Sequence, residues 1–219
     1  MGTKKQTAKK PLAKNNVKEN DNGAFLTVGL PTYNSNIVWL AMESLCRQQT
    51  TVIWELIICE EEHNGNKKEY YDNYKKRLEK VGCVEIKYIP IKDLPENVDK
   101  IALSQKWRII AKESSKSSIG LILQASDCYS EPKRLQTAYQ KLCSGFDWIH
   151  SRFGIFYHLY DNKNILFDMK SGEYETGLNM SMAMDIARNL PDEDKFSSVD
   201  FWLYQFASSF KKRAFRHHE

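Results

Sequence analysis

The chain has 219 residues, 42% hydrophobic and 27% charged, a balance that supports one folded domain with its own core and excludes a fibrous or wholly disordered chain. The net charge of +4 sits at the ends: residues 1–20 carry six Lys against one Glu, 211–219 carry four basic groups against one Glu, and the stretch between holds 22 basic and 26 acidic groups. An acidic body excludes a domain-wide nucleic-acid footprint, and the apolar runs at 24–30 and 119–123 fall far short of the roughly 20 residues that span a bilayer.

Residues 1–22 lack apolar periodicity and are expected to form a flexible basic arm. The folded domain is expected over 23–212, with 213–219 a basic tail or a linker to further domains of the same polypeptide. Contact of these ends with an anionic membrane would be at most peripheral. The opening residues lack the charged-then-apolar pattern of a secretory leader, so the cytoplasm is the expected compartment. The cysteines number five, with no C-x-x-C pair. That pattern fits free thiols in a reducing compartment better than a disulfide framework or a zinc site.

The run A-F-L-T-V-G-L reads as a buried strand over 24–30, stopped by Pro31. Asn34 or Ser35 can cap a helix over 36–48 that turns Ile37, Leu40, Ala41, Ser44 and Leu45 to one side. Val52–Cys59 is apolar on both faces, as in a parallel strand covered by helices on both sides. Tyr70, Tyr71, Tyr74, Leu78 and Val81 have helical spacing, and Gly82 suits the residue after that helix. Val84–Ile89 is a third strand, 101–114 a helix, and Ile119–Gln124 a fourth strand. Pro132 suits the first turn of a helix that buries Leu135, Ala138, Tyr139 and Leu142. Phe146–His150 reads as another strand, and the residues after 150 as a hairpin or irregular excursion. Two helices are expected near 180–190 and 198–212. Alternation of strand and helix predicts a single Rossmann-like α/β domain with a mostly parallel central sheet sandwiched by helices.

Open α/β sheets bind ligands outside the carboxyl ends of their strands. The residues placed there are Pro31, Thr32, Tyr33 and Asn34 after the first strand and Glu60, Glu61, Glu62 and His63 after the second. Ala125, Ser126 and Asp127 follow the fourth. No G-x-x-x-x-G-K-[ST] loop is present, and Gly29 stands alone where a dinucleotide fold has G-x-G-x-x-G. A diphosphate here would need another source of positive charge. A divalent cation on carboxylate oxygen is the natural substitute, since Mg²⁺ and Mn²⁺ take oxygen ligands and often combine few carboxylates with phosphate.

These segments resemble the family 2 glycosyltransferases of GT-A fold. The match runs through T-V-G-L-P-T-Y-N, S-L-C-R-Q-Q and W-E-L-I-I-C-E-E. It continues through Lys106 and Arg108 to L-I-L-Q-A-S-D-C-Y-S-E-P-K-R-L (121–135), where the family carries its D-x-D motif. G-L-N-M-S-M (177–182) resembles the family's acceptor-side segment, and S-V-D-F-W-L (198–203) the stretch that holds its catalytic base. The likeness covers about 24–206.

The resemblance implies an inverting transfer of a hexose from a nucleotide-sugar to a glycan or glycoprotein hydroxyl, with no nucleic acid involved. UDP is the first donor nucleotide, followed by dTDP and then GDP. Pro31, Thr32 and Tyr33 would line the base pocket, with Glu60 or Glu61 against the base. Ser126 and Asp127 fall on the D-x-D stretch, and Asp127 would bind Mn²⁺ or Mg²⁺. Asp200 would be the general base, and Lys106 and Arg108 would meet the diphosphate or sugar. Two departures stand out: the D-x-D reads A-S-D, and the acid pair of the second strand is Glu60–Glu61.

Simpler roles compete at each position. Asp127 suits a turn, Asp200 an N-cap, Glu60–Glu62 a solvated acidic loop, and Lys106 and Arg108 a helix surface. A sugar nucleotidyltransferase and a non-catalytic nucleotide-sugar-binding domain are the alternative functions.

Overall fold

The computed structural model describes residues 25–33, 36–61, 68–92, 101–151, 153–158, 163–168, 180–195, 199–209 and 214–217. Side chains are described throughout except at 151–168, 200, 201, 204, 207, 208 and 214–217.

The first strand, β1 (Phe25–Thr32), carries the apolar run and continues beyond it. The expected stop at Pro31 does not occur. The carbonyl of Gly29 accepts from the N–H of Gln124 at 2.9 Å, so Gly29 faces β4 (Ser118–Leu123). Pro31, two residues on, faces the same side, where the β1–β4 ladder has already ended at Gly29 opposite Leu123. Its missing N–H therefore costs no ladder bond.

Helix α1 (Val38–Leu45) is shorter than the predicted 36–48 and follows Ile37, which makes no side-chain cap. Asn34 and Ser35, the expected caps, lie outside the described residues. Strand β2 (Trp54–Glu61) is buried along its whole length, both terminal glutamates included. The predicted helix through Tyr70–Val81 is two short ones, α2 (Lys68–Asp72) and α3 (Lys75–Glu79), with three tyrosines of modest helix propensity at the junction. Gly82, at φ 91°, turns the chain into β3 (Cys83–Ile91). A Cβ there would stand 2.6 Å from the Val52 carbonyl oxygen, so glycine is required on both counts.

The crossover helix α4 (Leu103–Glu113) leads to β4. Helix α5 (Arg134–Cys143) begins two residues after Pro132 rather than at it. Then come β5 (Trp148–Ser151) and an antiparallel hairpin of β6 (Phe153–His158) with β7 (Lys163–Asp168). The helix expected at 180–190 is a strand followed by a helix, β8 (Ser181–Ala183) and α6 (Met184–Arg188). Helix α7 spans Val199–Ser209, within the predicted 198–212. The segment 213–219, read as a tail, contributes β9 (Ala214–His217), which pairs in parallel with β5. Short strands of this kind take their stability from a distant partner, which local pattern does not reveal.

The sheet runs β3-β2-β1-β4-β8-β5-β9. Only β8 is antiparallel to its neighbours, so the mostly parallel prediction holds. Even-numbered residues of β1 and β2, such as Leu26, Val28, Leu30, Leu56 and Ile58, pack under α1 and α5 with Tyr71 and Leu78. Odd-numbered Ile57 and Cys59 face α4, α6 and α7 through Trp107, Ile110, Ile186 and Leu203. All five cysteines are free, and burial pushes the Cys59 and Cys83 thiols up to about 12. Among the described residues no helix is long and apolar enough to cross a membrane.

The chain moves outward from β1 through β2 to β3, then returns across α4 to the opposite side of β1 as β4. The topological switch point therefore lies between β1 and β4, and a ligand crevice is expected at their carboxyl ends.

Candidate functional site

Strands β1 and β2 end in step, with Thr32 opposite Glu60. Alternation along β2 sends consecutive glutamates to opposite faces. Glu60 turns toward α2, where the Tyr71 hydroxyl donates to its Oε2 at 3.0 Å. Glu61 turns toward α4 and forms a buried ion pair with Lys106. Its Oε1 also accepts the Ile101 N–H at 3.2 Å. Both glutamates are fully buried, so the solvated-loop reading fails for them; Glu62 and His63 lie outside the described residues.

The Lys106 ammonium has a second acceptor, the Thr32 carbonyl oxygen at 2.6 Å, and lies 5.8 Å from the centroid of the Tyr33 ring. Two charges taken out of water this way need good geometry and further hydrogen bonds to offset desolvation. The Ile101 N–H and the Thr32 carbonyl supply them. Lys106 is thus a buried clamp between the ends of β1 and β2, not a surface charge. Arg108 lies two positions along α4 and so points about 200° away. Its guanidinium binds the Glu193 carbonyl at 2.6 Å and the Asp192 and Asp194 carboxylates at 3.0 and 3.1 Å. The structure does not bring Arg108 to the strand ends with Lys106.

Beyond β4, the loop 124–133 is organised by two buried polar side chains. The Gln124 amide donates to the carbonyls of Ala125 at 2.9 Å and Cys128 at 2.8 Å. Its oxygen accepts from the Ser130 hydroxyl and, at 3.0 Å, from Arg134 Nη1. Arg134 also donates to Ser130 Oγ at 2.7 Å, Leu123 O at 2.6 Å and Met180 O at 3.0 Å. Burial pushes its guanidinium down to about 10, still protonated at neutral pH. Ser126 is half-buried on this loop and Asp127 is exposed, with the Cys128 thiol 3.5 Å from its Oδ1.

The strand order places Thr32 and Tyr33 between Glu60 on one side and Ser126 and Asp127 on the other. Two strand spacings, about 10 Å, separate the ends of β2 and β4. Thr32 Oγ1 is buried and has no hydrogen-bond partner among the described residues. Asp200 is the second residue of α7, and its side chain lies outside those described. Residues 177–179 of the G-L-N-M-S-M stretch are outside as well, while Met180 and Met182 are buried.

The reading of the sequence missed Gln124, Ser130, Arg134 and Tyr71. A polar residue closing an apolar strand was the available signal for Gln124. Arg134 in P-K-R-L carries none, because its neighbours suggest a helix surface.

Among the described residues no cluster of three or more His, Cys, Asp or Glu could hold a metal ion. Among the described residues the loop after β4 offers one exposed carboxylate, Asp127. Mg²⁺-type sites combine one or two carboxylates with phosphate oxygen, so one carboxylate is compatible with a cation shared with a diphosphate.

No protein-family model and no curated protein matches the sequence. Solved structures do match. S. aureus TarS 1–349 in complex with UDP superposes with a TM-score of 0.62 at 13% identity, covering 89% of this chain and 60% of that one. Against longer TarS the chain spans 33% of the partner's length. Glucosyl-3-phosphoglycerate synthase from M. tuberculosis, in complex with Mn²⁺, UDP and glucosyl-3-phosphoglycerate, gives 0.53 at 13% identity, covering 97% of this chain and 77% of that one. A 4-diphosphocytidyl-2C-methyl-D-erythritol synthase from Anaerococcus prevotii gives 0.53 at 11% identity, with 90% and 88% covered. At such identities the likeness shows the fold, which is of the GT-A type.

Proposed function

We propose that this GT-A-type domain transfers a hexose from a nucleotide-sugar, a UDP-sugar first and a dTDP-sugar second, to a hydroxyl of a glycan or glycoprotein by inverting displacement. The observation that carries the reading is that β1 and β2 end side by side, Thr32 opposite Glu60, next to β4, whose following loop carries Ser126 and Asp127. The solved structures of similar fold that hold UDP, one of them with Mn²⁺, support the donor class.

In this reading the base lies over Pro31, Thr32 and Tyr33. Glu61 is ion-paired with Lys106, whereas Glu60 accepts from the neutral Tyr71 hydroxyl, so Glu60 is the acid assigned to the base. Lys106 acts beneath the pocket by holding Thr32 and Tyr33, not by touching the diphosphate. Asp127 and Ser126 face the diphosphate across β1. A divalent cation held by Asp127 would stabilise the charge that gathers on the leaving diphosphate. Asp200 removes the acceptor proton as that oxygen attacks the anomeric carbon from the face opposite the leaving group.

Calorimetric titration of UDP and UDP-glucose, with and without Mn²⁺, on wild type and Asp127→Ala tests the donor half. Metal-dependent binding that disappears in the variant is the expected result, and absence of binding to UDP, dTDP and GDP sugars would remove the reading. Asp200→Asn tests the other half: transfer is lost while donor binding persists. Wild-type transfer in that variant would reassign the base.

The likeness to a 4-diphosphocytidyl-2C-methyl-D-erythritol synthase favours a second reading, a nucleotidyltransferase that activates a sugar or alcohol phosphate. Such an enzyme releases pyrophosphate from a nucleoside triphosphate, so a pyrophosphate assay with UTP and CTP separates the two.

A further inference from the structure

We infer that Arg134 is a positioning residue that couples the turn carrying Asp127 to the segment entering β8. The inference rests on the reading of Asp127 as the carboxylate that meets a diphosphate-borne cation.

The guanidinium is buried, and its acceptors come from three separate places. Gln124 Oε1 and Ser130 Oγ lie in the turn, Leu123 O closes β4, and Met180 O opens β8. None of these is a carboxylate, and no carboxylate among the described residues pairs with Arg134. A buried cation whose hydrogen bonds all go to neutral acceptors, with Glu131 contributing only charge from nearby, loses heavily if any acceptor moves away. The planar fork also fixes the directions of those acceptors, which a flexible ammonium would not. The charge therefore draws the turn, the end of β4 and the β8 entry onto one rigid centre.

Gln124 passes that constraint to Asp127. Its amide nitrogen grips the carbonyls of Ala125 and Cys128, which flank Ser126 and Asp127 in the chain. The base of Arg134 is fixed from the other side. Gln48, beyond the end of α1, donates to the Glu131 carbonyl at 2.8 Å and accepts the Leu135 N–H at 3.2 Å, pinning the start of α5. A chain of buried polar contacts thus runs from Gln48 through α5 and Arg134 to the turn. It holds the backbone on both sides of an exposed carboxylate on a loop without regular structure. Met180, held by the same guanidinium, directly follows residues 177–179 of the stretch that resembles an acceptor-side segment. A shift on the donor side would therefore be felt there.

Arg134→Met and Arg134→Lys in the full chain test this by two independent readouts. In ligand-free Arg134→Met, hydrogen exchange at 124–131 and at 180–183 should rise together by about tenfold while 26–31 and 54–60 stay protected. In UDP titrations, the gain in affinity that Mn²⁺ confers should fall about tenfold or more, with metal-free UDP affinity within about twofold of wild type. Arg134→Lys, which keeps the charge but not the fork, should recover only part of that gain, and it carries the same comparison should the Met variant not fold. Exchange that rises only at 124–131, or equally in β1 and β2, would overturn the coupling. So would an unchanged Mn²⁺ gain. A wild-type chain that binds no UDP would count against the proposed function instead, and the exchange arm would still decide the role of Arg134.

Discussion

Lys106 Nζ donates to the Thr32 carbonyl oxygen at 2.6 Å, tying the crossover helix to the last residue of β1. The same ammonium neutralises Glu61, and both side chains are almost wholly buried. Lys106→Met leaves a buried carboxylate uncompensated, which typically costs about 3–5 kcal/mol. Adding Glu61→Gln removes that stranded charge, so the double variant should be more stable than the sum of single losses by about 1–3 kcal/mol. Urea unfolding of the four species measures the coupling, and simple additivity would mean that the pair contributes nothing as a pair.

A second carboxylate of β2 works at the opposite end of the sheet. Glu55 accepts from Lys87 Nζ at 2.7 Å, from the Thr27 hydroxyl and the Ser115 N–H at 2.8 Å each, and from the Ser115 hydroxyl at 2.9 Å. Burial pushes its carboxyl up, but these hydrogen bonds, led by Lys87, outweigh it and hold the group below the ordinary carboxylate range. A folded pKa below the unfolded value of about 4.3 gives stability that is present above that value and lost as pH falls through the folded one. Glu55→Gln should therefore cost about 2 kcal/mol near pH 7 and progressively less below about pH 4. Denaturant titrations of both proteins between neutral and acid pH measure the difference, and a gap independent of pH would assign the loss to shape alone.

Gly29, isolated in the sequence, serves packing. A Cβ at this position would lie 2.8 Å from Trp107 Cζ3 and 2.9 Å from Ile110 Cγ2, so α4 sits directly against the bare strand. Gly29→Ala forces that helix outward and should cost about 1–3 kcal/mol, or roughly 2–4 °C of melting temperature per kcal/mol in a chain of this size. Trp107→Phe in the same chain should return part of the loss. A melting temperature equal to wild type in Gly29→Ala would show that the interface yields freely.

The strands that place the site were legible because they are long apolar runs with chemistry at one end. Glu60, Glu61 and Asp127 could be named for that reason. Other features depend on partners far away in sequence. Lys106 and Arg108 are both basic residues of one predicted helix, and only the register of α4 decides which points inward; Lys106 stands four residues before the buried Ile110, on the apolar stripe. Arg134 looks like a surface charge until Leu123, Gln124 and Met180 close around it. β8 and β9, three and four residues long, have meaning only beside β4 and β5.

Tyr33 directly follows β1, 38% exposed, with the Lys106 ammonium 5.8 Å from its ring centroid. The proposed base position makes this ring a stacking surface, and stacking of a base on an aromatic side chain is worth about 1–3 kcal/mol. Tyr33→Ala should weaken UDP binding by about 5- to 150-fold, the same range expressed as a ratio of dissociation constants. Tyr33→Phe keeps the ring and should stay within about threefold of wild type, since the ring carries the stacking. Tyr33→Ala also removes the ring that Lys106 lies over, so the melting temperatures of both variants are measured alongside to separate lost stability from lost binding. Calorimetry with UDP separates the outcomes. If the Phe variant lost as much affinity as the Ala variant, the hydroxyl and not the ring would carry recognition, and the base would have to lie to the side of Tyr33, against Glu60 and Thr32.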